Sequence, residues 1–156
     1  MLTIDIPGYQ TLQLDHLVLD FNGTLACDGQ LIAGVRQRLE RLAGQLQIHI
    51  ITADTFGGVA AAVADIPCRL SIIPPKAQDQ AKLDYLQQLG ASRAAAIGNG
   101  RNDRLMLAGA GLGIAVLQEE GAASATILAA DLVTRDILAA LDLLLHPGRL
   151  VATLRN

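Results

Sequence analysis

Short apolar runs alternate along the chain with segments whose apolar residues have helical spacing. Apolar and β-branched runs predict strands over residues 2–6, 9–14, 16–20, 47–52, 69–73, 94–97, 113–117 and 131–134. Amphipathic or small-residue segments predict helices over residues 32–45, 55–64, 77–89, 102–110, 121–129 and 135–145. Pro7 and Gly8 predict a turn that joins the first two strands as a hairpin or edge ladder, and Gly90 predicts the end of the 77–89 helix.

The regular alternation of strands and helices determines the predicted fold class. Such a pattern forms a parallel sheet with helices on both faces. We therefore predict an α/β fold with a doubly wound, mostly parallel sheet in three α/β/α layers. Residues 1–156 are expected to form one domain, with a hairpin or edge strands at 1–14, a core at 15–145 and a C-terminal extension at 146–156. The apolar extension is expected either to join the core or to form a dimer surface.

Composition narrows the classes of function. The 156 residues are 51% hydrophobic and 17% charged, which favours a packed core over disorder. A net charge of −3 and an aromatic content of 3% argue against nucleic acid as a partner. The sequence has no apolar stretch near the roughly 20 residues of a membrane helix and no secretory signal pattern, so we expect a cytoplasmic protein without a membrane partner. Cys27 and Cys68 are expected to be free thiols.

Polar side chains follow the predicted strands, and ligands of such folds bind beyond the carboxyl ends of the strands. Asp20 ends the 16–20 strand and begins the segment DFNGTL, and Thr52 ends the 47–52 strand. The segment GNGRND, residues 98–103, follows the 94–97 strand, and Lys76 and Lys82 precede that strand. A phosphoryl-transfer site needs this set: a carboxylate nucleophile, phosphate donors, a cation and hard oxygen ligands for Mg²⁺.

These segments resemble the motifs of the haloacid dehalogenase superfamily. DFNGTL is similar to the DxDGT signature of that superfamily, and Thr52, the helix lysine and GNGRND match its other three motifs in the right order. GNGRND is especially similar to the GDGxND loop of P-type cation ATPases and of phosphoserine-phosphatase-like enzymes. The resemblance covers about residues 14–145 and is strongest to small soluble proteins that resemble an isolated P-type ATPase phosphorylation domain. It implies a phosphatase-like hydrolase that forms an aspartyl phosphate and uses Mg²⁺.

The resemblance also implies roles for individual residues. Asp20 would be the nucleophile and a ligand of Mg²⁺, and the backbone carbonyl of Asn22 would be another ligand. Asn99 and Asp103 would occupy the acidic loop, one at the metal and one just behind it.

Phosphate binding is the second role that the resemblance implies. Lys82 would pair with Asp20 and the phosphate, with Lys76 as the alternative because the lysine of the family usually lies nearer the start of its helix. The implied phosphate-binding residues are Asn22, Gly23, Thr52, Ala53, Lys82 and Asn102.

Two residues depart from the pattern of the family. Hydrolases of the family carry a second Asp two residues after the nucleophile, which protonates the leaving group and then activates water. This chain has Asn22 at that position, and an amide cannot exchange a proton near neutral pH. Asn99 stands where an Asp metal ligand is usual, so the attraction for Mg²⁺ is weaker. We therefore expect slow turnover, weak metal binding or a site kept for binding phosphate.

The spacing of the motifs leaves no room for a cap domain. Only 27 residues lie between Thr24 and Thr52, and residues 53–81 hold only a helix, a strand and a turn. The site is therefore expected to be open to a phosphorylated small molecule or a phosphoprotein. Because a site without a lid must exclude water in another way, a homo-oligomer that covers the site is one expectation.

Two other functions and several structural interpretations are kept beside the phosphohydrolase. The alternatives are a non-catalytic or regulatory phosphate-binding module, which Asn22 and Asn99 favour, and a phospho-receiver-like signalling domain, which would leave GNGRND unexplained. Asp54 is expected to cap the 55–64 helix. The three histidines, His16, His49 and His146, are expected to be isolated and structural or exposed.

Overall fold

The computed structural model describes residues 1–54 and 57–156. The strands are β1 (Leu2–Ile6), β2 (Gln10–Leu14), β3 (His16–Asp20), β4 (Ala26–Cys27), β5 (Gln30–Leu31), β6 (Gln47–Thr52), β7 (Cys68–Ile72), β8 (Ala94–Gly98), β9 (Leu112–Val116) and β10 (Leu132–Thr134). The helices are α1 (Val35–Leu42), α2 (Val59–Ala62), α3 (Gln78–Leu89), α4 (Arg104–Gly109), α5 (Ser124–Ala129), α6 (Ile137–Leu145) and α7 (Pro147–Leu154), and 3-10 turns span Ala91–Arg93 and Arg101–Asp103.

Six of the strands form one parallel sheet in the order β10-β9-β8-β3-β6-β7. From β3 the chain first builds outwards through β6 and β7, then returns to the other side of β3 and continues through β8, β9 and β10. The strand order therefore reverses between β3 and β8, which places a crevice at their carboxyl ends. This arrangement confirms the predicted α/β class and its doubly wound parallel sheet.

Helices cover both faces of this sheet, because successive residues of a buried strand point to opposite faces. Leu17 and Leu19 of β3 belong to the larger apolar cluster, which includes buried residues of α1, α6 and α7. Val18 belongs to the smaller cluster on the other face, together with Leu86 of α3 and Met106 of α4. Asp20 has the same parity as Val18, so its side chain lies on the face that α3 covers.

Two hairpins stand apart from the six-stranded sheet. β1 and β2 pair antiparallel in a separate two-stranded sheet, and Ile4 lies opposite Leu12 as the predicted turn requires. Alternate residues of β1 are buried in the larger cluster, so the hairpin extends the core. β4 and β5 form a second short hairpin directly after the segment 20–25. Within the described residues no cap domain follows β3 or β6, in agreement with the spacing of the motifs.

The structure corrects the predicted helices at two places. Residues 55 and 56 of the predicted 55–64 helix lie outside the described residues, and α2 has only four residues, of which Val59 alone is buried. The extension 146–156 contains α7, which was not predicted as a helix. Pro147 occupies its first turn, where the fixed backbone angle of proline is favourable, and Leu150 is fully buried in the larger cluster.

The histidines are the second correction. His16 and His49 were expected to be isolated. Their rings are hydrogen-bonded to each other, with His16 Nδ1 3.1 Å from His49 Nε2. His49 Nδ1 lies 2.9 Å from the hydroxyl of Tyr85 on α3. His146 is exposed, as expected. Burial lowers the pKa of His49 to about 4, with smaller contributions from the charges of His16 and Arg69.

No single helix within residues 1–54 and 57–156 is long and apolar enough to cross a membrane. The helices α6 and α7 meet the length and composition criteria only as a pair, and the pair is bent by 101°.

Candidate active site

The carboxyl ends of three neighbouring strands bring the predicted site residues together. Asp20 ends β3, Thr52 ends β6 and Asn99 follows β8, while Lys82 reaches the same place from α3. A cavity of about 260 Å³ lies between them. It is lined by Asp20, Asn22, Thr52, Ala53, Gln78, Lys82, Asn99, Gly100 and Asn102. Of the predicted residues, Gly23, Asp103 and the alternative lysine Lys76 are not among those that line this cavity.

Lys82 is the lysine of the site. Its side chain is 1% exposed, and Nζ donates to Asp20 Oδ1 at 2.7 Å and to Asp103 Oδ1 at 2.6 Å. Lys76, the alternative, is exposed and lies before α3 begins. Burial lowers the pKa of Lys82, but the negative charges of Asp20 and Asp103 outweigh it and raise the pKa above its ordinary value. The ammonium group therefore stays charged and holds the two carboxylates together.

Asp103 is fully buried behind the cavity. Its Oδ1 accepts from Lys82, and its Oδ2 accepts from the backbone N–H groups of Asn99 at 3.0 Å and Gly100 at 2.9 Å. Burial and the charge of Asp20 raise the pKa of Asp103 to about 6, against the opposing effect of Lys82. Because both oxygens already have donors, the geometry favours the interpretation that Asp103 lies behind the metal position and orients Lys82.

Asn99 and Asp20 present two acceptor oxygens to one hydroxyl group. Thr24 Oγ1 lies 3.0 Å from Asp20 Oδ2 and 3.2 Å from Asn99 Oδ1, and all three residues are buried. A threonine has one hydroxyl proton, so it can satisfy only one of the two oxygens at a time. The other oxygen is available to a cation, and carboxylate and amide oxygens are the ligands that Mg²⁺ prefers. Asp20 and Asn99 therefore fit a divalent metal.

Asp20 and Asn99 are not part of a larger cluster of metal-binding side chains among the described residues. No group of three or more His, Cys, Asp or Glu side chains is placed to hold a metal ion in the part of the chain that the structure describes. A metal at Asp20 and Asn99 would thus be held by one charged side chain, and the weak metal binding expected from Asn99 stays a prediction.

The loop after Asp20 is closed by its own backbone. The carbonyl oxygen of Phe21 accepts three N–H groups, those of Thr24, Leu25 and Ala26. The N–H of Gly23 donates to the carbonyl of Ala26 at 2.9 Å. The N–H of Gly23 is therefore engaged within the loop, and the role of Gly23 in binding phosphate stays a prediction.

Gly23 is needed at its position for another reason. Its φ is +80°, a backbone conformation that favours glycine. A Cβ atom there would lie 2.4 Å from Nδ2 of Asn99, so any other residue would displace Asn99 from the cavity.

Three side chains line the remaining walls of the cavity. Thr52 Oγ1 accepts from the N–H of Asp54 at 3.1 Å, so the proton of its hydroxyl can point to a ligand. Asn102 Nδ2 donates to Gln78 Oε1 at 2.7 Å, which joins the GNGRND loop to α3. Sequence reasoning missed Gln78 and Thr24; Thr24 stands inside the DFNGTL segment, whereas nothing in the local sequence marks Gln78.

Asp54 does not cap a helix as predicted. The N-cap of α2 is Gly58, four residues further along the chain. The φ of Asp54 is +47°, and its Oδ1 is buried without a hydrogen-bond partner among the described residues.

Comparisons with known proteins identify chains that are similar to this one in sequence or in fold. No protein-family model matches the chain. It is 51% identical over 80 residues to "Uncharacterized protein MJ0073" of Methanocaldococcus jannaschii, which corresponds to 49% of this chain and 86% of that protein. It is also 46% identical over 39 residues to "Uncharacterized protein MJ0072" of the same organism, covering 25% of this chain and 89% of that protein.

Solved structures share the fold over nearly the whole chain. A putative HAD family hydrolase from Streptomyces avermitilis has a TM-score of 0.69 and 24% identity, with 87% of each chain covered. The cobalt-bound deoxy-D-mannose-octulosonate 8-phosphate phosphatase from Haemophilus influenzae has a TM-score of 0.72 and 18% identity, covering 92% of this chain and 94% of that chain. The 3-deoxy-D-manno-octulosonate 8-phosphate phosphatase from Moraxella catarrhalis, in complex with magnesium, phosphate and sugar acid, has a TM-score of 0.68 and 21% identity over 91% and 94%. The chain thus has the fold of the haloacid dehalogenase hydrolases, and it belongs to the same protein family as Uncharacterized protein MJ0073.

Proposed function

We propose that the protein is a Mg²⁺-dependent phosphohydrolase or phosphotransferase that forms an aspartyl phosphate on Asp20. One observation carries the proposal: the Asp20 carboxylate lines a polar cavity, where Lys82 holds one of its oxygens at 2.7 Å and Thr24 lies 3.0 Å from the other. The solved structures with this fold include chains named as phosphatases of a sugar-acid phosphate, which supports the reaction class.

The first chemical step is the attack of a carboxylate oxygen of Asp20 on the phosphorus of a phosphomonoester. The bond from phosphorus to the ester oxygen breaks, and the alcohol leaves with a proton taken from solvent. The charged Lys82 offsets the negative charge on the transferring group, and the hydroxyl of Thr52 and the amide of Asn102 donate to its oxygens. Asp103 contributes by holding Lys82 in place.

The second step is limited by Asn22. Water must attack the aspartyl phosphate and lose a proton, and the amide of Asn22 cannot accept that proton. General acid–base help is typically worth about 10²–10⁴ in rate. The phosphoenzyme is therefore long-lived, and the phosphoryl group can pass to water slowly or to another acceptor.

Mg²⁺ is the metal that the donor set fits. Asp20 Oδ2, Asn99 Oδ1 and the backbone carbonyl of Asn22 would hold it, since all three are hard oxygen ligands. When bound, the ion neutralises charge on the phosphate oxygens. No cap covers the site in the part of the chain that the structure describes, so both a phosphorylated small molecule and a phosphoprotein can reach Asp20.

The proposal is tested by incubating the protein with labelled acetyl phosphate and Mg²⁺ and measuring acid-stable label on the chain. We expect label on the wild type and none on Asp20→Asn. Asp28→Asn is the matched control, because Asp28 is exposed and its φ of +50° also suits asparagine. Wild-type protein that binds phosphate but takes no label and hydrolyses no p-nitrophenyl phosphate would instead be the phosphate-binding module that Asn22 and Asn99 favour.

A further inference from the structure

Gln118 uses its whole side-chain amide to join two parts of the fold. It lies two residues after β9 and is half-buried. Its Nε2 donates to the carbonyl oxygens of Gly23 at 3.0 Å and Thr24 at 2.7 Å. Its Oε1 accepts the N–H of Ile137, the first residue of α6, at 3.0 Å. Both N–H donors and the acceptor of one neutral side chain are thus engaged.

The hydrogen bonds of the loop engage the peptide groups on both sides of Asn22. The carbonyl of Phe21 and the N–H of Gly23 are bonded within the loop, and Gln118 engages the carbonyls of Gly23 and Thr24. Within the described residues, the N–H and the carbonyl of Asn22 have no partner. Asn22 lines the cavity beside Asp20, so its peptide groups are the ones left for a metal or a phosphate.

We propose that Gln118 is a positioning residue for the site: it holds the carbonyls of Gly23 and Thr24 and thereby fixes the carbonyl of Asn22 for Mg²⁺. The inference rests on the proposed function, since it assigns Asn22 a role in the same site. Groups that orient metal ligands in this way commonly change metal affinity by about 10–100-fold when they are replaced.

If Gln118 only stabilised the start of α6, it would need only its acceptor oxygen. An acceptor at residue 118 suffices to satisfy the N–H of Ile137, and glutamate would supply it as well as glutamine. The two donors point to the nucleophile loop, and only an amide supplies donors and an acceptor together. Gln118→Glu therefore separates the two roles: it keeps the acceptor for α6 and removes the donors for the loop.

The test measures Mg²⁺ binding and not turnover. Wild type, Gln118→Glu and Gln118→Met are titrated with Mg²⁺, and binding is followed by calorimetry and by the shift in melting temperature. We expect Mg²⁺ to bind at least about 10-fold more weakly to both variants. Gln87→Glu is the matched control, because Gln87 is exposed on α3 and its side chain has no hydrogen bond among the described residues. It should bind Mg²⁺ like the wild type.

The possible results distinguish failure of the inference about Gln118 from failure of the proposed function. Gln118→Glu and Gln118→Met that bind Mg²⁺ as tightly as the wild type overturn the inference and leave the proposed function standing. Wild-type protein that binds no Mg²⁺ contradicts the proposed function itself. If neither variant folds, the side-chain amide signals of Gln118 are followed by NMR in the wild type during the titration. They should shift with the same midpoint as the backbone amide of Asn22, and unchanged Gln118 signals would overturn the inference.

Discussion

A single lysine between two carboxylates controls the electrostatics of the site. Lys82, Asp20 and Asp103 together carry one excess negative charge in a buried place, and the arrangement depends on short bonds on both sides of the ammonium group. A buried ion pair of this kind is costly to break, because the remaining charge has no partner.

At the scale of the residue, replacement of Lys82 should destabilise the protein in a way that depends on pH. Lys82→Met leaves Asp20 and Asp103 without a cation, so the free energy of unfolding should fall by about 3–5 kcal/mol at pH 7.5. The loss should be smaller at pH 5, where one carboxylate can take up a proton. Urea unfolding measures both values. Lys76→Met is the control, since Lys76 is the other lysine of the chain and is exposed. Equal losses at both pH values would contradict the argument.

Asn22 gives the second prediction at this scale. Asn22→Asp restores a group that can exchange a proton, so decay of the labelled phosphoenzyme should accelerate by about 10²–10⁴-fold. The decay rate after removal of acetyl phosphate is the measurement. Asn99→Asp serves as the control, because it adds charge at the metal and not beside the leaving group. A decay rate that stays unchanged in Asn22→Asp would show that the missing acid is not what limits turnover.

At the scale of the element, the end of β8 determines whether the side chain of Asp103 fits beside the strand. Gly98 ends β8 and is the first residue of the GNGRND segment, and a Cβ atom at Gly98 would lie 2.4 Å from Cγ of Asp103. The strand therefore needs a glycine here to let the buried carboxylate fold back under it.

Gly98→Ala should displace Asp103 and lower the free energy of unfolding by about 1–3 kcal/mol. Mg²⁺-dependent labelling should fall as well, because Lys82 loses its second partner. Chemical denaturation and the acetyl phosphate assay give the two readouts. Gly148→Ala, in α7 with open space around it, is the control and should stabilise by up to about 1 kcal/mol. A Gly98→Ala protein as stable as the wild type would contradict the packing argument.

Strands and helices could be predicted from the sequence where most of their side chains are buried. The runs at 16–20 and 47–52 give β3 and β6 with the same bounds, since each is a continuous buried strand. α2 is shorter than the pattern predicts because its three alanines bury little surface and Gly58 stands directly before it. α7 was missed because Pro147 and Gly148 are typical of helix ends, although proline is also favourable in a first helical turn.

The site was predictable only where the chain carries a local motif. Asp20, Thr52, Lys82 and Asn99 stand in or beside such motifs and meet at the cavity. Gln78 and Gln118 reach the site from other elements, and their bonds depend on the tertiary fold. The pairing of His16 with His49 crosses between neighbouring strands, so no sequence spacing indicates it.

At the scale of the whole molecule, stability should depend on pH through two buried groups of opposite effect. The pKa of His49 is lowered to about 4, so the unfolded chain binds a proton more tightly, and stability falls as the pH drops from about 6.5 towards 4. The pKa of Asp103 is raised to about 6, so the folded chain holds that proton more tightly, and stability rises as the pH drops through the same range.

His49→Gln isolates the first of these effects. The difference in unfolding free energy between wild type and variant should shrink by on the order of 3 kcal/mol between pH 7 and pH 4, because the contribution of Asp103 is common to both and cancels. Urea unfolding across this range is the measurement, with His146→Gln, an exposed histidine, as the control. A difference that is constant with pH would remove His49 as the cause.

The helix α3 carries Gln78, Lys82 and Tyr85 on one side, at spacings of four and three residues. Lys82 touches Asp20 at one end of β3, and Tyr85 reaches through His49 to His16 at the other end of that strand. If the proposed phosphorylation of Asp20 shifts the helix against the strand, the two imidazole rings lie on the path of contacts that would carry the shift. NMR signals of the carbon-bound protons on His16 and His49 should therefore change when Asp20 takes up the phosphoryl group that the proposed function requires.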